Sequence, residues 1–209
     1  MSIITTDNRY YTEIADAIRN KNGTSNTYRP SEMSTAIEEL KDNEILVKIV
    51  ERDFTSLSAE DLKGITKIGD YAFYCHTSLY EIEIPDSVTS IGSSAFASTG
   101  IRNVTIPDSV ITIGYNAFSN ATAQFGYITI GTNVSYIYDG AFQLNSLDHM
   151  YVRCLVPPTL SAETAIDLVR EGAKENLTIH VPVGHGEIYK AATNWSAFAD
   201  NIVDDLTVE

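Results

Sequence analysis

The chain has 209 residues, long enough to bury a sizeable core, and 44% of them are hydrophobic. Acidic residues outnumber basic ones 28 to 14, giving a formal net charge of −14. Because phosphate binding needs clustered Lys and Arg, this balance argues against nucleic acid or an anionic membrane as a partner. No apolar run approaches the roughly 20 residues that span a bilayer, so membrane insertion is not expected. The stretch from Met1 to Asp7 has neither a basic nor an apolar region of a signal peptide, so none is predicted there.

Residues 1–42 predict a helical hairpin. Ile14 and Ile18 have the i, i+4 spacing of a first helix, which would stop at Gly23. Pro30 can open a second helix. Its apolar face would consist of Met33, Ile37 and Leu40. Two short helices with so thin an apolar face are marginal alone, so the segment is predicted to dock on a partner or to oligomerise.

Residues 43–156 predict a solenoid of stacked coils. The phrase Ile-Pro-Asp-Ser-Val begins at Ile84 and again at Ile106, and a weaker copy begins at Ile130. A period of about 20 to 25 residues is typical of solenoids. Apolar residues spaced by two predict one short strand in each coil, aligned in columns from coil to coil. These columns are Leu79, Ile101, Phe125 and Leu147; Ile82, Val104, Ile128 and Met150; and Ile84, Ile106, Ile130 and Val152.

A second short strand is predicted in each coil, followed by an Ala-Phe step. The columns are Ile65, Val88, Val110 and Val134; Ile68, Ile91, Ile113 and Ile137; and Phe73, Phe96, Phe118 and Phe142, each preceded by Ala. Pro85 and Pro107 are expected at the fixed-φ position of a turn between the two strands. Gly92 and Gly114 are expected to adopt positive φ in the bend after the second strand. The third copy departs from this pattern, with Gly131 in place of Pro.

Residues 157–209 predict a degenerate last coil and a C-terminal cap. Trp195, Tyr189 and Phe198 are expected to seal the end of the stack, with a ligand contact as the alternative.

The repeated wording carries a resemblance to a known family. The string Ile-Gly-x-x-Ala-Phe, a variable bend, then apolar-x-x-apolar-x-Ile-Pro-x-Ser-Val resembles the BspA-type leucine-rich repeat over residues 62–156. The stretches Val156–Leu160, Leu177–Pro182 and Tyr189–Trp195 resemble the terminal coil and closing helix of such proteins. The resemblance implies a β-rich leucine-rich repeat solenoid, with short strands, short helical turns and a C-terminal capping helix. It also implies binding rather than catalysis, because the family is best known for surface adhesins and for host- or matrix-binding proteins.

The N-terminal segment carries a second resemblance. The sequence of Glu13–Ser25, followed by that of Tyr28–Met33, resembles the N-terminal segment of phage and prophage structural proteins, which are often tail-associated. It implies a virion component that is made in the bacterial cytoplasm. Residues 1–42 would then contact other virion proteins, or a second copy of the chain.

The sequence offers no catalytic constellation. It contains no Gly-x-Ser-x-Gly elbow, no Walker loop, no dinucleotide-binding fingerprint and no Cys-x-x-Cys, so neither an enzyme nor a cofactor is predicted. His180 and His185 lack the i, i+4 spacing of a helical zinc pair, and no metal site is predicted. Cys75 and Cys154 lie more than three coils apart, so no disulfide is expected between them.

The outward positions of the first strand are the candidate ligand-binding residues. They form two columns, which we call the ladder: Glu81, Asn103, Tyr127 and His149, and beside them Glu83, Thr105, Thr129 and Tyr151. Tyrosine, amide, hydroxyl and carboxylate groups together suit the recognition of a carbohydrate or a protein. The alternative is that exposed strands simply favour Thr and Tyr.

The leading functional hypothesis is a non-enzymatic phage virion accessory or tail-associated protein whose solenoid binds a protein or glycan on the host surface. The first alternative is a bacterial cell-surface adhesin of the same repeat family. The second is an intracellular phage-encoded effector that binds a host protein. The predicted location is therefore the virion, or alternatively the bacterial cell surface.

Overall fold

Short parallel strands build the structure, a computed structural model that describes residues 55–120, 125–170 and 172–208. The helical hairpin predicted for residues 1–42 lies outside these described residues. Among the described residues, no helix is long and apolar enough to cross a membrane.

The described strands follow one another at short intervals along the chain. They are β1 (Ser56–Leu57), β2 (Lys67–Ile68), β3 (Glu81–Ile82), β4 (Ser90–Ile91), β5 (Asn103–Ile106), β6 (Thr112–Ile113), β7 (Phe125–Ile130), β8 (Tyr136–Ile137), β9 (Phe142–Leu144), β10 (Leu147–Val152), β11 (Thr159–Leu160), β12 (Ile166–Leu168), β13 (Thr178–Pro182) and β14 (Ile202–Leu206). The helices are α1 (Ala173–Asn176) and α2 (Gly186–Ala191), with 3-10 helices at Glu163–Ala165 and Trp195–Asn201.

Two five-stranded parallel sheets run along the stack. The first sheet has the order β14-β13-β10-β7-β5, and the second has the order β11-β8-β6-β4-β2. The two-stranded pair β1-β3 lies next to the first sheet, because β3 contacts β5. A further pair joins β9 to β12. Successive coils therefore add one strand to each sheet, as a leucine-rich repeat solenoid does.

The strand registers confirm the predicted apolar columns. Val104 aligns with Ile128, which in turn aligns with Met150, and all three are buried. In the second sheet, Ile91 aligns with Ile113. The Ala-Phe step stacks Phe73, Phe96, Phe118 and Phe142, with ring centroids 5.1, 5.1 and 5.6 Å apart. Each coil thus covers the apolar side chains of its neighbours, which one coil alone could not do.

The glycines after the second strand are needed for a different reason from the one predicted. Gly92 and Gly114 do not have positive φ, and the residues two positions later, Ser94 and Asn116, are left-handed instead. A Cβ on Gly114 would lie 2.7 Å from the carbonyl carbon of Gly92, far inside van der Waals contact. Glycine is required here because the backbones of successive coils approach closely.

The proline turns also differ in detail from the prediction. The Pro85 carbonyl accepts a hydrogen bond from the N–H of Val88 at 3.0 Å, so proline holds the first position of the turn and not the second. In the next coils Pro107 and Gly131 hold the same position. A Cβ at Gly131 would lie 2.5 Å from the carbonyl oxygen of Pro107, which explains the departure from proline in the third copy.

Buried aromatic residues seal the C-terminal end, as predicted for Trp195, Tyr189 and Phe198. The Trp195 indole donates to the Pro158 carbonyl at 2.7 Å, and the Tyr189 hydroxyl donates to the Cys154 carbonyl at 2.8 Å. The closing helices are α2 and the 3-10 helix at Trp195–Asn201. The chain does not end in them, because β14 follows and extends the first sheet by one more strand.

Candidate ligand-binding face

The structure brings the ladder together on one exposed side of the first sheet. Asn103 aligns with Tyr127 and then His149, and Thr105 aligns with Thr129 and then Tyr151. The remaining two residues, Glu81 and Glu83, lie on and just after β3. Six of the eight side chains are exposed, while Thr129 and Tyr151 are half-buried. The strand pairing aligns six of the eight predicted residues, and the role of all eight in binding stays a prediction.

A groove of 780 Å³ lies at the β3 end of the ladder. Its lining includes the ladder residues Glu81, Glu83, Asn103, Thr105 and Tyr127, together with Tyr80, Asp86, Arg102, Asp108 and Arg153. The last five are not part of the predicted site. They come from the turn after the strand and from the residue before it, whereas the alternation pattern predicts only residues within the strand.

An ion pair joins two of the residues that line the groove. The Arg153 guanidinium lies 3.1 Å from the Asp108 carboxylate, and both side chains are partly exposed. The same carboxylate oxygen accepts the N–H of Thr132 at 2.8 Å. A partly exposed pair of this kind adds at most about 1 kcal/mol to stability, so its main effect here is to fix the shape of the groove wall.

Asn103 is held in a defined orientation. Its side-chain oxygen accepts the N–H of Tyr127 at 3.0 Å. A Cβ at Gly126 would lie 2.8 Å from that oxygen, so the absence of a side chain at Gly126 makes the contact possible. With its oxygen engaged, Asn103 directs its two N–H donors away from that contact and can offer them to a ligand.

Aromatic and imidazole rings occupy the other end of the ladder. The Tyr127 and Tyr151 ring centroids are 6.4 Å apart in an edge-to-face arrangement. His180, which aligns with Tyr151, stacks on that ring at 4.5 Å. The ladder therefore continues onto β13, one coil further than predicted. Extending the alternation into Thr178–Pro182 would have placed His180 in the Tyr151 column.

A hydrogen-bonded chain runs from β14 to β10 across this end. Nδ1 of His180 lies 2.9 and 3.0 Å from the two carboxylate oxygens of Asp205. Nε2 of His180 lies 3.1 Å from Nδ1 of His149. The His180 side chain is 15% exposed and that of Asp205 is 54% exposed, so the chain leads from a half-exposed carboxylate through a largely buried ring. Asp205 was not predicted, because no repeat motif marks β14.

A second aromatic cluster lies outside the ladder, on residues of or next to the second sheet. The Tyr138 ring lies 4.6 Å from both Tyr115 and Tyr136. Tyr115 is 51% exposed. None of these tyrosines lines the groove of the ladder or contacts its imidazole chain, so the cluster offers a comparison surface for binding experiments.

The Cys154 thiol is poorly suited to act as a nucleophile. Both cysteines are free. Burial raises the pKa of the Cys154 thiol to about 12, so the reactive thiolate is scarce at neutral pH. Its Sγ instead donates to the Gly131 carbonyl at 3.1 Å. Within residues 55–120, 125–170 and 172–208, no group of three or more His, Cys, Asp or Glu side chains is placed to hold a metal ion.

Comparison with known proteins identifies the repeats. No curated protein matches the chain. The family model described as the BspA type leucine rich repeat region matches residues 47–156 with six copies, which is more than half of the chain. The parallel strand stack of the described residues has the architecture that such repeats form. The chain belongs to the BspA-type leucine-rich repeat family.

Proposed function

We propose that the protein is a non-enzymatic binding module that contacts a protein partner on a cell surface through the ladder. The observation that carries this proposal is the register of the ladder, which holds exposed polar and aromatic side chains in line across adjacent strands beside a groove. Membership of a repeat family whose members are generally binding modules and not enzymes supports it further.

The geometry suits a protein partner for physical reasons. Side chains mounted on paired strands lose little additional backbone freedom on binding, which lowers the entropic cost of an interface. Tyr127 and Tyr151 add broad contact area with few rotatable bonds, and Glu81, Glu83 and Asn103 place directional polar groups beside them. This combination of aromatic anchors and a polar surround is common at the centre of specific interfaces.

Two settings are consistent with this role. Family membership favours a bacterial cell-surface adhesin, which we take as the first proposal. The wording of Glu13–Ser25 favours a tail-associated virion protein that binds the host surface, which is the second. Fractionation of producing cells and of purified particles, followed by immunoblotting, separates them. An intracellular effector would instead be found only in the cytosol.

The binding role is tested by the double variant Tyr127→Ala/Tyr151→Ala. The wild-type protein is first applied to immobilised extracellular-matrix and cell-surface proteins and to a printed glycan array. The variant should keep its melting temperature within a few degrees but lose about 2 kcal/mol or more of binding free energy for the partner found, as interface hot spots do.

The matched control is Tyr115→Ala/Tyr138→Ala, which also removes two phenol groups but at positions outside the ladder. It should bind like the wild type. If the control loses binding while the ladder variant retains it, the functional surface is the Tyr115–Tyr138 cluster. If a partner is found only on the glycan array, the ligand is a carbohydrate and not a protein.

A further inference from the structure

The partners of His149 and His180 define which of their ring nitrogens carry protons. The Asp205 carboxylate can only accept, so Nδ1 of His180 must donate to it. In the neutral ring, Nε2 of His180 is then an acceptor, and the Nδ1 that faces it on His149 must donate. Neutral His149 is therefore left with an unprotonated Nε2, a hydrogen-bond acceptor on an exposed residue of the ladder.

The remaining exposed charges along the ladder are also acceptors. Glu81, Glu83 and Asp86 line the groove, and none of them forms an ion pair with another described residue. Arg153 is already paired with Asp108. Apart from Arg102, the described groove offers a ligand no further unpaired cation, in a protein whose net charge is −14. The surface thus complements a ligand that is rich in donors and positively charged.

We propose that the ladder binds a basic polypeptide segment, with Nε2 of His149 accepting a hydrogen bond from one of its Lys or Arg side chains. The inference rests on the proposed binding function and names the chemical class of its partner. The Glu81 and Glu83 carboxylates attract a second cationic side chain, and the faces of Tyr127 and Tyr151 provide further favourable contact for cations. Three strand spacings of about 4.8 Å separate β3 from β10, a span of about four residues of extended peptide.

Protonation of His149 converts its exposed Nε2 from a hydrogen-bond acceptor into a donor. A proton added at Nε2 of His149 leaves the hydrogen bond to His180 intact but turns the exposed acceptor into a charged donor, which repels a Lys or Arg. A second proton, at Nε2 of His180, would place two donors face to face and break the chain. Binding of the basic segment should therefore weaken on acidification.

The titratable and charged groups on the described elements packed against the pair include no further histidine. They are Tyr127 on β7, Asp148 and Tyr151 on β10 with Arg153 directly after it, Lys174 and Glu175 on α1, Glu187, Tyr189 and Lys190 on α2, and Asp204 and Asp205 on β14. Asp204 accepts from the N–H groups of Gly184 and Gly186, and Lys174 lies over the Phe198 ring. Asp205 is hydrogen-bonded to the pair through Nδ1 of His180.

The test uses the full-length protein and two fluorescein-labelled synthetic peptides of about twelve residues, long enough to cross the ladder. One peptide repeats Lys-Gly-Ser-Tyr, and the other repeats Glu-Gly-Ser-Tyr. Fluorescence anisotropy should show the Lys peptide binding at least about tenfold more tightly than the Glu peptide at about pH 7.5, with at least about tenfold weakening at about pH 5.5.

The His149→Gln variant keeps an acceptor that cannot be protonated. It should bind the Lys peptide at the higher pH within about threefold of wild type and lose most of the pH dependence. His185→Gln, whose ring contacts the Val183 carbonyl, should behave like the wild type.

A second pair of variants separates the ladder from overall charge. Glu81→Gln/Glu83→Gln should weaken Lys-peptide binding at least about tenfold, whereas Glu163→Gln/Glu175→Gln makes the same change in net charge and should have little effect. Equal losses in both variants, a preference for the Glu peptide, or a pH dependence that survives in His149→Gln would each overturn the inference. A neutral or acidic partner that depends on Tyr127 and Tyr151 would overturn it too, while leaving the proposed function standing.

Discussion

At the scale of single residues, close approach between coils decides several identities. Gly92 and Gly114 occupy equivalent positions in successive coils, and a Cβ on either one would overlap backbone atoms of the preceding coil. Gly69 holds the same position one coil earlier, and no described atom lies within 4 Å of its Cβ position. Sequence periodicity predicts that glycine is required at these positions. It does not show whether the reason is a positive φ or the close approach of the neighbouring backbone.

The substitution Gly114→Ala should therefore destabilise the protein. Its Cβ would lie 2.7 Å from two backbone atoms, which cannot move aside as a flexible side chain would. Overpacking of this kind costs about 1–3 kcal/mol. Urea unfolding followed by circular dichroism measures the change.

Gly69→Ala is the matched control. Because φ is not positive there and no described atom lies within 4 Å of the Cβ position, the substitution should be neutral or stabilising by up to about 1 kcal/mol, through the reduced entropy of the unfolded chain. Equal effects of the two substitutions would show that contact between coils does not determine the requirement for glycine.

At the scale of elements, α2 and the 3-10 helix at Trp195–Asn201 hold the last coil through its main-chain carbonyls. The Tyr189 hydroxyl and the Trp195 indole are fully buried, and each donates to one carbonyl of the segment Cys154–Pro158. These two bonds satisfy acceptors that would otherwise be buried without a partner. The cap thus adds hydrogen bonds as well as apolar cover.

Tyr189→Phe should lower the free energy of unfolding by about 1–3 kcal/mol, because the buried Cys154 carbonyl loses its donor. Tyr80→Phe, at a tyrosine that is 47% exposed, should change it by less than about 0.5 kcal/mol. Thermal and urea unfolding at neutral pH measure both values. A Tyr189→Phe protein as stable as the wild type would mean that water or another donor replaces the hydroxyl.

The same phenol makes stability depend on alkaline pH. Burial raises the pKa of Tyr189 above its ordinary value of 10.0. The folded protein therefore retains this proton at pH values where the unfolded chain has lost it. The resulting stability is fully present below pH 10 and falls as the pH rises further. Wild-type stability should decline more steeply above pH 10 than that of Tyr189→Phe.

At the scale of the whole molecule, the sequence specifies the stack better than it specifies the binding surface. Columns such as Val104, Ile128 and Met150 repeat because each coil must bury the same face, so their register could be predicted. His180 and Asp205 belong to coils that lack the repeat motif, and only the order of the strands in the sheet brings them beside His149. The groove depends on Arg102 and Arg153, whose positions beside the strands carry no period of their own.

The division between the repeats and the N-terminal segment gives the last prediction. The family match begins at residue 47, so removing residues 1–42 leaves every matched repeat in the chain. Because the apolar columns of the repeats cover one another, the truncated protein should keep its far-ultraviolet circular dichroism and its melting temperature within a few degrees. The predicted helical hairpin has too thin an apolar face to be stable alone, so it should be the part that associates with a second copy or with other proteins. Analytical ultracentrifugation of both forms should therefore show association of the full-length protein and a monomer after truncation. Equal monomer masses for the two forms, together with unchanged attachment to particles or cells, would contradict the prediction that residues 1–42 dock the protein to a partner. Unfolding of the truncated form would show instead that this segment is required for the stability of the stack.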